Sequence, residues 1–363
     1  MKVIVLGTRG IPDILGGVET HCQELYPRLV KLGCDMELIT RKSYVKDLSI
    51  KEYQGVKLKH IFTPKKKSLE AIIHTFIGVL YARSKNPNIL HIHAIGPSLL
   101  VPFAKLLGLK VVVTNHGPDY DRQKWGKIAK KVLMFGEKFG SKYANKVIVI
   151  SNVIKKIQEN KYNRMDCKLV YNGVNLPTKS NQTDYIDSLG LEVSKYCIAV
   201  GRFVEEKGFH DLIKAYSKID TDIKLVIVGD SDHEDEYSLS LKKMAKENSV
   251  IMTGFIKGKK LNQIFSHAKL FVMPSYHEGL PIALLEAMSY SLDVLVSDIP
   301  ANVEVKLDES DYFHVGDIDD LATKLAIKLN NDTDRDFQKV IQEKYSWDLI
   351  ARQTKKIYKE TLK

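Results

Sequence analysis

The feature that most constrains the fold is a repeated alternation of short β-branched apolar runs with longer amphipathic segments. Runs of this length with helical stretches between them are typical of parallel βαβ units. The predicted strands are VIVLG (3–7), MELIT (36–40), VKLKHIF (56–62), ILHIH (89–93), VVVTN (111–115), KVIVIS (146–151), YCIAVGR (196–202), KLVIVGD (224–230), VIMTG (250–254), LFVMP (270–274) and DVLVSD (293–298).

The alternation runs through both halves of the chain, so it predicts an α/β protein with two Rossmann-like domains. A polar stretch with Pro, Ser and Asn, LPTKSNQTD at 176–184, is the best linker candidate. We therefore expect domains at 1–178 and 179–345, followed by an amphipathic helix at 346–363. Ligands of such sheets bind at the carboxyl ends of the strands, and two such domains would face each other across a cleft.

Composition is that of a globular protein, with 44% hydrophobic and 27% charged residues among 363. The longest apolar runs, such as 71–82, are too short to span a bilayer. The first residues read as a strand rather than as a signal peptide. Four scattered cysteines without a CxxC spacing argue against a structural zinc site and for a reducing compartment. We expect a cytoplasmic location.

Charge is distributed unevenly along the chain. Residues 1–180 carry 31 Lys and Arg against 13 Asp and Glu, whereas residues 181–363 carry 24 against 31. The formal net charge of +11 therefore hides one basic half and one acidic half. A basic half favours anionic partners: nucleic acid, anionic lipid or phosphorylated substrates.

A glycine-rich loop, GTRGIPDILGGVETH at 7–21, follows the first predicted strand. Such a loop lets backbone N–H groups approach a phosphate at a helix N-terminus. The spacing is not GxGxxG, and the next strand ends in Thr40-Arg41 rather than in an acidic residue, so the dinucleotide fingerprint fails. A flexible turn without a ligand is the alternative interpretation.

A histidine, His116, ends the predicted strand at 111–115 and is followed by Gly117 and Pro118. A lone histidine is more often structural than functional. Its place at the carboxyl end of a parallel strand makes a role in a binding site equally plausible.

Two cations flank the loop after the first strand of the second half, in VGRFVEEKGFHDL at 200–212. Arg202 and Lys207 could neutralise a diphosphate without a metal, because arginine binds phosphate with a planar fork and lysine as a point charge. The alternative is a pair of solvated surface cations.

Two glutamates stand eight positions apart in HEGLPIALLEAM at 277–288. Pro281 suits the first turn of a helix, which places Glu278 just before the helix and Glu286 inside an otherwise apolar one. A buried carboxylate is costly unless it is paired, and a ribose diol offers two O–H donors. The alternative is a helix carboxylate that pairs with a lysine.

An acidic stretch, GDSDHEDE at 229–236, contains Asp230 and Asp232 and looks like a metal site. Hard cations need several oxygen ligands in a held geometry. We interpret the stretch as a solvated loop and predict no metal.

These motifs together resemble glycosyltransferase family 4, retaining enzymes with the GT-B fold. The resemblance rests on the Glu278-x7-Glu286 spacing within MPSYHEGLP and EAM, on VGRFVEEKGFHDLIKA, and on the order of the other motifs. It covers nearly the whole chain, and the N-terminal loop is similar to that of the branch that assembles bacterial polysaccharides and lipid-linked glycans.

The resemblance implies an enzyme that moves a sugar from a nucleotide-diphosphate sugar to a hydroxyl of a glycan or polyprenyl-diphosphate-linked acceptor, with no cofactor and no metal. The N-terminal domain would bind the acceptor, the C-terminal domain the donor, and the last helix would cross back to the N-terminal domain. The implied catalytic residues are His116, Arg202, Lys207 and Glu278. The implied donor-binding residues are Gly16, Gly17, Gly254, Phe255, Ile256, Gly279, Leu280 and Glu286.

The basic half has a possible use in this setting. Lysines at 65–67 and the segment KWGKIAKKVLMFGEKFGSKYANK at 124–146 combine cations with apolar residues. They suggest peripheral binding to the anionic inner face of the cytoplasmic membrane. A solvated basic face is the alternative.

Other functions remain as alternatives to sugar transfer. A sugar epimerase or phosphorylase would keep the fold but change the chemistry, and an NAD(P)-dependent oxidoreductase lacks its fingerprint. A nucleic-acid-binding protein would use the basic half, but its usual recognition modules are absent, so we predict no nucleic-acid partner.

Overall fold

The computed structural model describes residues 1–14, 16–64, 67–121, 126–231 and 234–363. The chain forms two compact units, an N-terminal unit of Met1–Gly173 with Tyr345–Lys363 and a C-terminal unit of Val174–Lys344. The first division thus precedes the polar stretch at 176–184.

The N-terminal unit contains eight strands and six helices among its described residues. The strands are β1 (Lys2–Leu6), β2 (Asp35–Arg41), β3 (Glu52–Tyr53), β4 (Val56–Ile61), β5 (Ile89–His93), β6 (Val111–Asn115), β7 (Lys146–Val149) and β8 (Lys168–Leu169). The helices are α1 (Gly17–Lys31), α2 (Lys67–Lys85), α3 (Val101–Leu106), α4 (Lys127–Tyr143), α5 (Asn152–Tyr162) and the terminal helix α14 (Trp347–Leu362).

Strand order in this sheet is β3-β4-β2-β1-β5-β6-β7-β8, and its ladders are parallel except β3 with β4. The chain moves from β1 to β2 on one side and places β5 on the other. Ligand crevices of open α/β sheets form at the carboxyl ends of strands where the order reverses in this way. The loops after β1 and β5 therefore occupy the switch point of this unit.

The C-terminal unit contains six strands and eight helices among its described residues. The strands are β9 (Tyr196–Val200), β10 (Lys224–Val228), β11 (Ile251–Gly254), β12 (Leu270–Met273), β13 (Asp293–Ser297) and β14 (Tyr312–Phe313). The helices are α6 (Asp184–Ser188), α7 (Phe209–Tyr216), α8 (Glu236–Glu247), α9 (Lys259–His267), α10 (Ile282–Ser289), α11 (Pro300–Val303), α12 (Ile318–Asn330) and α13 (Gln338–Lys344).

This second sheet is parallel, with the order β11-β10-β9-β12-β13-β14. Its order reverses between β9 and β12, so the loops after these two strands flank the switch point of the unit. These loops carry the predicted cations and the first predicted glutamate.

The terminal helix α14 belongs to the core of the N-terminal unit. Trp347, Ile350, Ala351, Ile357 and Tyr358 are buried together with residues of the first sheet and of α1. The backbone of Gly173 approaches the Trp347 ring so closely that a Cβ at this position would collide with it. The last 19 residues are thus part of the N-terminal unit.

The predicted fold class is confirmed: the chain is an α/β protein with two parallel Rossmann-like sheets. All eleven predicted strands are present, with ends that differ by a few residues. The three strands that the pattern did not predict, β3, β8 and β14, have two residues each. Such short strands carry no readable alternation of apolar residues.

Candidate active site

The loop between β9 and α7 carries the two predicted cations of the C-terminal unit. Arg202 comes two residues after β9 ends, and Lys207 is the last residue of a single 3-10 turn, Glu205–Lys207. The Phe203 backbone N–H donates to the Asp230 carbonyl oxygen at 3.1 Å, which ties the start of the loop to the end of β10. Both side chains are half-buried.

A glycine brings this loop against the loop that follows β12. Gly208 has a φ of 65°, and a Cβ there would collide with the Pro274 carbonyl oxygen. Such a conformation and such a close approach both favour glycine. The Tyr276 backbone N–H also donates to the Glu206 carbonyl oxygen at 2.9 Å. The two loops at the switch point are therefore held together by backbone contacts.

The result is an ion pair between Lys207 and Glu278. Lys207 Nζ lies 2.5 Å from Glu278 Oε1, and the Ser275 hydroxyl donates to the same oxygen at 2.8 Å. The side chains are 20% and 13% exposed, so water screens the pair only weakly. Both bonds end on Oε1, and no partner of Oε2 is found among the described residues.

The charge state of Glu278 follows from these contacts. Burial on its own would raise the pKa of the carboxyl group, but the nearby Lys207 ammonium and the bonds from Lys207 and Ser275 hold the pKa of Glu278 below its ordinary value. The carboxylate is therefore ionised at neutral pH. It can accept O–H donors through Oε2.

Gly279 and Leu280 complete the loop before α10. The helix begins at Ile282 with Pro281 as its N-cap, one residue later than the sequence suggested. Glu286 lies one turn inside α10 and is half-buried, while its neighbours Leu285 and Ala287 are buried. The apolar neighbours of Glu286 thus face the core, and Glu286 lies inside an apolar helix as the sequence predicted.

The third predicted segment of this unit, Gly254 to Ile256, lies at the end of the edge strand β11. Gly254 has a φ of 69°, and a Cβ there would meet open space. Phe255 is 48% exposed. A surface cavity adjoins this point and is lined by Phe203, Asp230 and Met252 as well as Gly254. The segment shares the carboxyl edge of the sheet with Arg202 and Glu278.

In the N-terminal unit, the glycine loop between β1 and α1 is organised by Glu19. This buried carboxylate accepts from the Arg9 backbone N–H at 3.0 Å and pairs with the Arg9 guanidinium at 3.1 Å. Gly16 is the N-cap of α1, and a Cβ there would collide with the Glu19 and Arg9 side chains. A Cβ on Gly17 would meet open space.

The two predicted glycines of this loop therefore differ in why the position needs a residue without a side chain. Local packing alone explains Gly16, whereas packing among the described residues leaves Gly17 unexplained. An unfilled position at the first turn of a helix is suited to the close approach of an anionic ligand.

His116 follows β6 directly, in a turn that a buried carboxylate supports. Glu137 on α4 is 2% exposed and accepts from Asn115 Nδ2 at 3.1 Å, Tyr162 OH at 2.7 Å and Tyr120 OH at 2.9 Å. Asn115 Oδ1 in turn accepts the Gly117 backbone N–H at 2.9 Å. Both neighbours of His116 are therefore held in place.

His116 is one of four histidines that lie together. His93 Nδ1 and His116 Nε2 are 2.8 Å apart, and His91 Nε2 is 2.7 Å from the Thr114 hydroxyl. The Tyr26 hydroxyl bonds to His93 Nε2 and lies 3.2 Å from His91 Nδ1. His21 packs edge-on against His93 and His116, with ring centroids 5.5 and 5.0 Å away.

All four imidazoles are neutral at physiological pH. Burial lowers the pKa of His21 to about 4, although its bond to Asn172 acts in the opposite direction. Burial and the neighbouring imidazoles lower the pKa of His91 to about 3 and hold those of His93 and His116 well below the ordinary value.

Histidines in such a group are candidate metal ligands, since one nitrogen each of His21, His93 and His116 lie within 4.8 Å of one another. The His93 and His116 rings, however, have centroids 5.2 Å apart and nitrogens 2.8 Å apart, so these nitrogens face each other head-on. On a tetrahedral ion with ordinary metal–nitrogen bonds they would be about 3.3 Å apart and would point at the ion. The geometry is that of a hydrogen bond.

The structure thus brings predicted residues together within the C-terminal unit. Arg202, Lys207, Glu278, Gly279 and Leu280 share the switch point of the C-terminal sheet. The sequence analysis missed the residues grouped around His116. His93 bonds to it and His21 packs against it, while Tyr26 and His91 continue the chain beyond His93. The signal that could have found two of them is ILHIH, in which two histidines with a spacing of two end a parallel strand.

Some predicted features lie outside the described residues. These are Lys65 and Lys66, the start of the basic segment at 124–125, and Asp232 in the acidic stretch. Asp230 pairs with Lys242 at 3.2 Å. Among the described residues, no helix is long and apolar enough to cross a membrane.

Two family models match the chain, and together they cover most of it. The model described as Glycosyltransferase Family 4 matches residues 15–177, and the model described as Glycosyl transferases group 1 matches residues 181–347. An uncharacterized glycosyltransferase of Methanocaldococcus jannaschii is 24% identical over 99% of this chain and 98% of its own.

Solved structures show the same fold. Sucrose-phosphate synthase from Thermosynechococcus elongatus superposes with a TM-score of 0.81 at 19% identity, over 99% of this chain and 98% of that one. HepE from Anabaena in complex with UDP-glucose gives 0.79 at 16% identity, over 99% and 100%. Fold, matched models and relatives together define a glycosyltransferase with the GT-B fold. The chain belongs to glycosyltransferase family 4.

Proposed function

We propose that the protein transfers a sugar from a nucleotide-diphosphate sugar to a hydroxyl group of a glycan or lipid-linked acceptor, in the assembly of a cell-surface polysaccharide. The observation that carries the proposal is the Lys207–Glu278 pair, held at 2.5 Å at the switch point of the C-terminal sheet, with Arg202 on the same loop. HepE, which has the same fold, was solved with UDP-glucose.

The cations of this loop would bind the diphosphate. Two of the three N–H donors of Lys207 remain after its bond to Glu278, and the planar fork of Arg202 matches phosphate oxygens. As the bond from the sugar to the phosphate breaks, negative charge grows on the diphosphate. Fixed cations that are shielded from water stabilise that charge without a metal ion.

The carboxylates and glycines would bind the rest of the donor. Glu278 Oε2 would accept hydroxyl groups of the sugar, and the backbone N–H groups of Gly279 and Leu280 would approach the sugar and the phosphates. Glu286 would accept the two ribose hydroxyls. Gly254, Phe255 and Ile256 would contact the base.

The N-terminal unit is proposed to contribute through Gly17, with Gly16, and through His116. Gly17 would let the loop after β1 approach a phosphate or the acceptor, and His116 would contact the donor sugar. These roles follow from the family motifs. Gly17 opens α1 after the loop that follows β1, and His116 directly follows β6.

The chemistry that fits these residues is a transfer with retention of configuration. The acceptor oxygen would attack the anomeric carbon on the face that the leaving group departs from. The bond to the phosphate oxygen breaks, its electron pair stays on the diphosphate, and the acceptor proton moves to that oxygen. The products are a glycoside with the original anomeric configuration and a nucleoside diphosphate.

A thermal-shift screen over nucleotides and nucleotide sugars tests the donor. A ligand at one hundred times its dissociation constant stabilises the folded protein by about 2.7 kcal/mol. One family of nucleoside diphosphates should raise the melting temperature, with its sugar conjugates raising it further. Chromatography of the products with and without acceptor then separates transfer from epimerisation or phosphorolysis. A screen without any shift would contradict the proposal.

We also propose that the N-terminal unit binds the surface of an anionic membrane, where a lipid-linked acceptor would be found. On α4, Ile128, Met134 and Phe135 are 81%, 40% and 52% exposed. Exposed lysines accompany them on the same helix, namely Lys127, Lys131, Lys138 and Lys142. Exposed apolar side chains combined with lysines are typical of interfacial helices.

Sedimentation with vesicles tests this second proposal. Vesicles with anionic lipid should pellet the protein at low salt, whereas neutral vesicles should not. The double variant Ile128→Ser, Phe135→Ser should remain in the supernatant. A matched control is Leu239→Ser in the C-terminal unit, because Leu239 is 54% exposed on a helix. Equal pelleting of both variants would overturn the proposal.

A further inference from the structure

His116 is the end of a continuous hydrogen-bonded chain inside the N-terminal unit. From His116 Nε2 it passes to His93 Nδ1, through His93 Nε2 to the Tyr26 hydroxyl, on to His91 Nδ1, and from His91 Nε2 to the Thr114 hydroxyl. The Tyr358 hydroxyl joins at His91 Nδ1, 2.6 Å away. Thr114, Tyr26, His91 and His93 are at most 1% exposed, so water cannot replace these partners.

Each neutral imidazole has one N–H donor and one acceptor nitrogen, and each hydroxyl has one proton to donate. Along the path through Tyr26 the protons can therefore run in two directions, and the Tyr358 hydroxyl can replace Tyr26 as the partner of His91 Nδ1. In one arrangement, every proton points from His116 toward Thr114. In the other, every proton points from Thr114 toward His116. Each arrangement leaves one donor without a partner among the described residues: the Thr114 hydroxyl in the first and His116 Nδ1–H in the second. A buried polar group that donates to nothing costs roughly 1–3 kcal/mol, and Thr114 is 1% exposed whereas His116 is only half-buried, so the second arrangement is favoured.

The threonine at the far end distinguishes the two arrangements. If His91 Nε2 donates to Thr114, the threonine proton has no other acceptor among the described residues. If Thr114 donates instead, that proton is satisfied and His91 must carry its own proton on Nδ1. The hydroxyl proton of Tyr26 is then directed to His93 Nε2, which moves the His93 proton to Nδ1 and toward His116.

We propose that Thr114, His91, Tyr26 and His93 are positioning residues that hold His116 in the tautomer with its proton on Nδ1. His116 Nε2 then accepts from His93, and the Nδ1–H group is left as the donor. Among the described residues no partner of Nδ1 is found, and His116 is half-buried rather than enclosed. His116 therefore meets its ligand as a hydrogen-bond donor directed at an oxygen atom.

The inference rests on the proposed function only for the identity of that ligand, a hydroxyl or phosphoryl oxygen of the donor sugar. The neutral state that the argument requires agrees with the lowered pKa values of these histidines, which burial causes. The cationic form would need a second buried proton in a chain that has no acceptor for it.

Nitrogen NMR of the full chain labelled with ¹⁵N-histidine tests the proposal directly, because ring shifts report which nitrogen carries the proton. The ring of His116 is assigned from the spectrum of His116→Gln. In the unaltered protein we expect a protonated Nδ1 and an unprotonated Nε2 for His116, and the same for His93. A proton on His116 Nε2 would overturn the proposal whatever the activity of the enzyme.

Two variants at different points of the chain should change this result. Tyr26→Phe removes the donor to His93, and Thr114→Val removes the donor to His91, so each should give His116 as a mixture of tautomers. The matched control is Tyr196→Phe in the C-terminal unit, since Tyr196 is equally buried and its hydroxyl donates to the Ile264 carbonyl. The control should leave the His116 signals unchanged.

Kinetics connect the tautomer to the proposed reaction. Loss of one oriented donor should lower kcat about 3- to 10-fold in Tyr26→Phe and Thr114→Val, with a smaller change in KM for the donor. Tyr196→Phe should retain both constants. A changed tautomer with unchanged kcat would contradict the catalytic part of the inference. An unchanged tautomer in both variants would show that the hydrogen-bonded chain does not set the tautomer of His116. Absence of any transfer activity would count against the proposed function and leave the NMR result standing.

Discussion

The two units place polar side chains at the same point of the same kind of sheet, but in opposite electrostatic states. At the switch point of the C-terminal unit, Lys207 and Glu278 form an ion pair whose side chains are 20% and 13% exposed. At the switch point of the N-terminal unit, the side chains are uncharged: neutral imidazoles and tyrosine hydroxyls joined by hydrogen bonds. The charged pair of the C-terminal unit is suited to binding a charged diphosphate. The neutral histidines of the N-terminal unit are suited to orienting a neutral hydroxyl.

The difference has a physical origin in burial. His91 and His93 are 0% exposed, and a charge at that depth would cost several kcal/mol without a partner. The C-terminal pair keeps its charges because each ion is the partner of the other and some solvent remains. The two units should therefore respond differently when a buried or partly buried side chain is replaced.

The largest effect is expected from Trp347→Ala, which leaves a cavity beside the buried histidines of the N-terminal unit. Trp347 is 3% exposed, packs edge-on against His21 with ring centroids 5.4 Å apart, and lies in the unit's core. Truncation of a buried tryptophan costs about 3–5 kcal/mol. Hydrogen exchange measured by mass spectrometry should show lost protection in residues 1–173 and 345–363 but little in 174–344. Trp347→Phe should lose much less, and equal losses in both units would contradict the assignment of α14.

The next effect is that of Lys207→Ala on turnover. If the cation stabilises the departing diphosphate, kcat should fall about 100- to 1,000-fold, or about 2.7–4 kcal/mol in the barrier. Stability should also fall, because the Glu278 carboxylate, 13% exposed, then keeps only the Ser275 hydroxyl as a partner, so the unfolding free energy of Lys207→Ala is measured beside its kinetics. Lys214→Ala is the control, because Lys214 is 49% exposed on the following helix. A kcat within threefold of the unaltered enzyme would refute the role of Lys207.

A smaller effect is expected from Glu286→Ala on donor affinity. Hydrogen bonds to a charged group contribute about 1.5–3 kcal/mol, so the dissociation constant of the nucleoside diphosphate should rise roughly 10- to 150-fold. Titration calorimetry measures this constant. The constant of Glu286→Gln should lie between those of the unaltered protein and of Glu286→Ala. Unchanged affinity in Glu286→Ala would show that the ribose binds elsewhere.

The sequence predicted the C-terminal half of this comparison better than the N-terminal half. Lys207 and Glu278 each stand in a local motif beside a glycine. Their two loops follow the adjacent parallel strands β9 and β12. The histidine chain joins distant positions such as Tyr26, His91 and Tyr358, and the bond between His91 and Tyr358 alone spans 267 residues. Such contacts depend on packing between helices and strands, which no local spacing encodes.

Acid titration of the N-terminal unit gives an effect that is spread over more than two pH units and is therefore the smallest at any single step of pH. For His21 the pKa falls from its ordinary value near 6.5 to about 4 in the folded protein. Between these two values the unfolded chain binds more protons than the folded one, so acid favours unfolding. The stabilisation is complete above pH 6.5 and is lost as the pH falls toward 4, at up to about 1.4 kcal/mol per pH unit for one histidine.

His21→Gln should therefore flatten the dependence of the unfolding free energy on pH between 6.5 and 4, followed by tryptophan fluorescence. Trp347 lies in the core of the N-terminal unit and reports its unfolding. His314→Gln provides the opposite case in the C-terminal unit. Its bond to Asp298 raises the pKa of His314, so its contribution is present below about pH 6.5 and is lost as the pH rises. If both variants shifted the curve in the same direction, burial would not be what separates the two units.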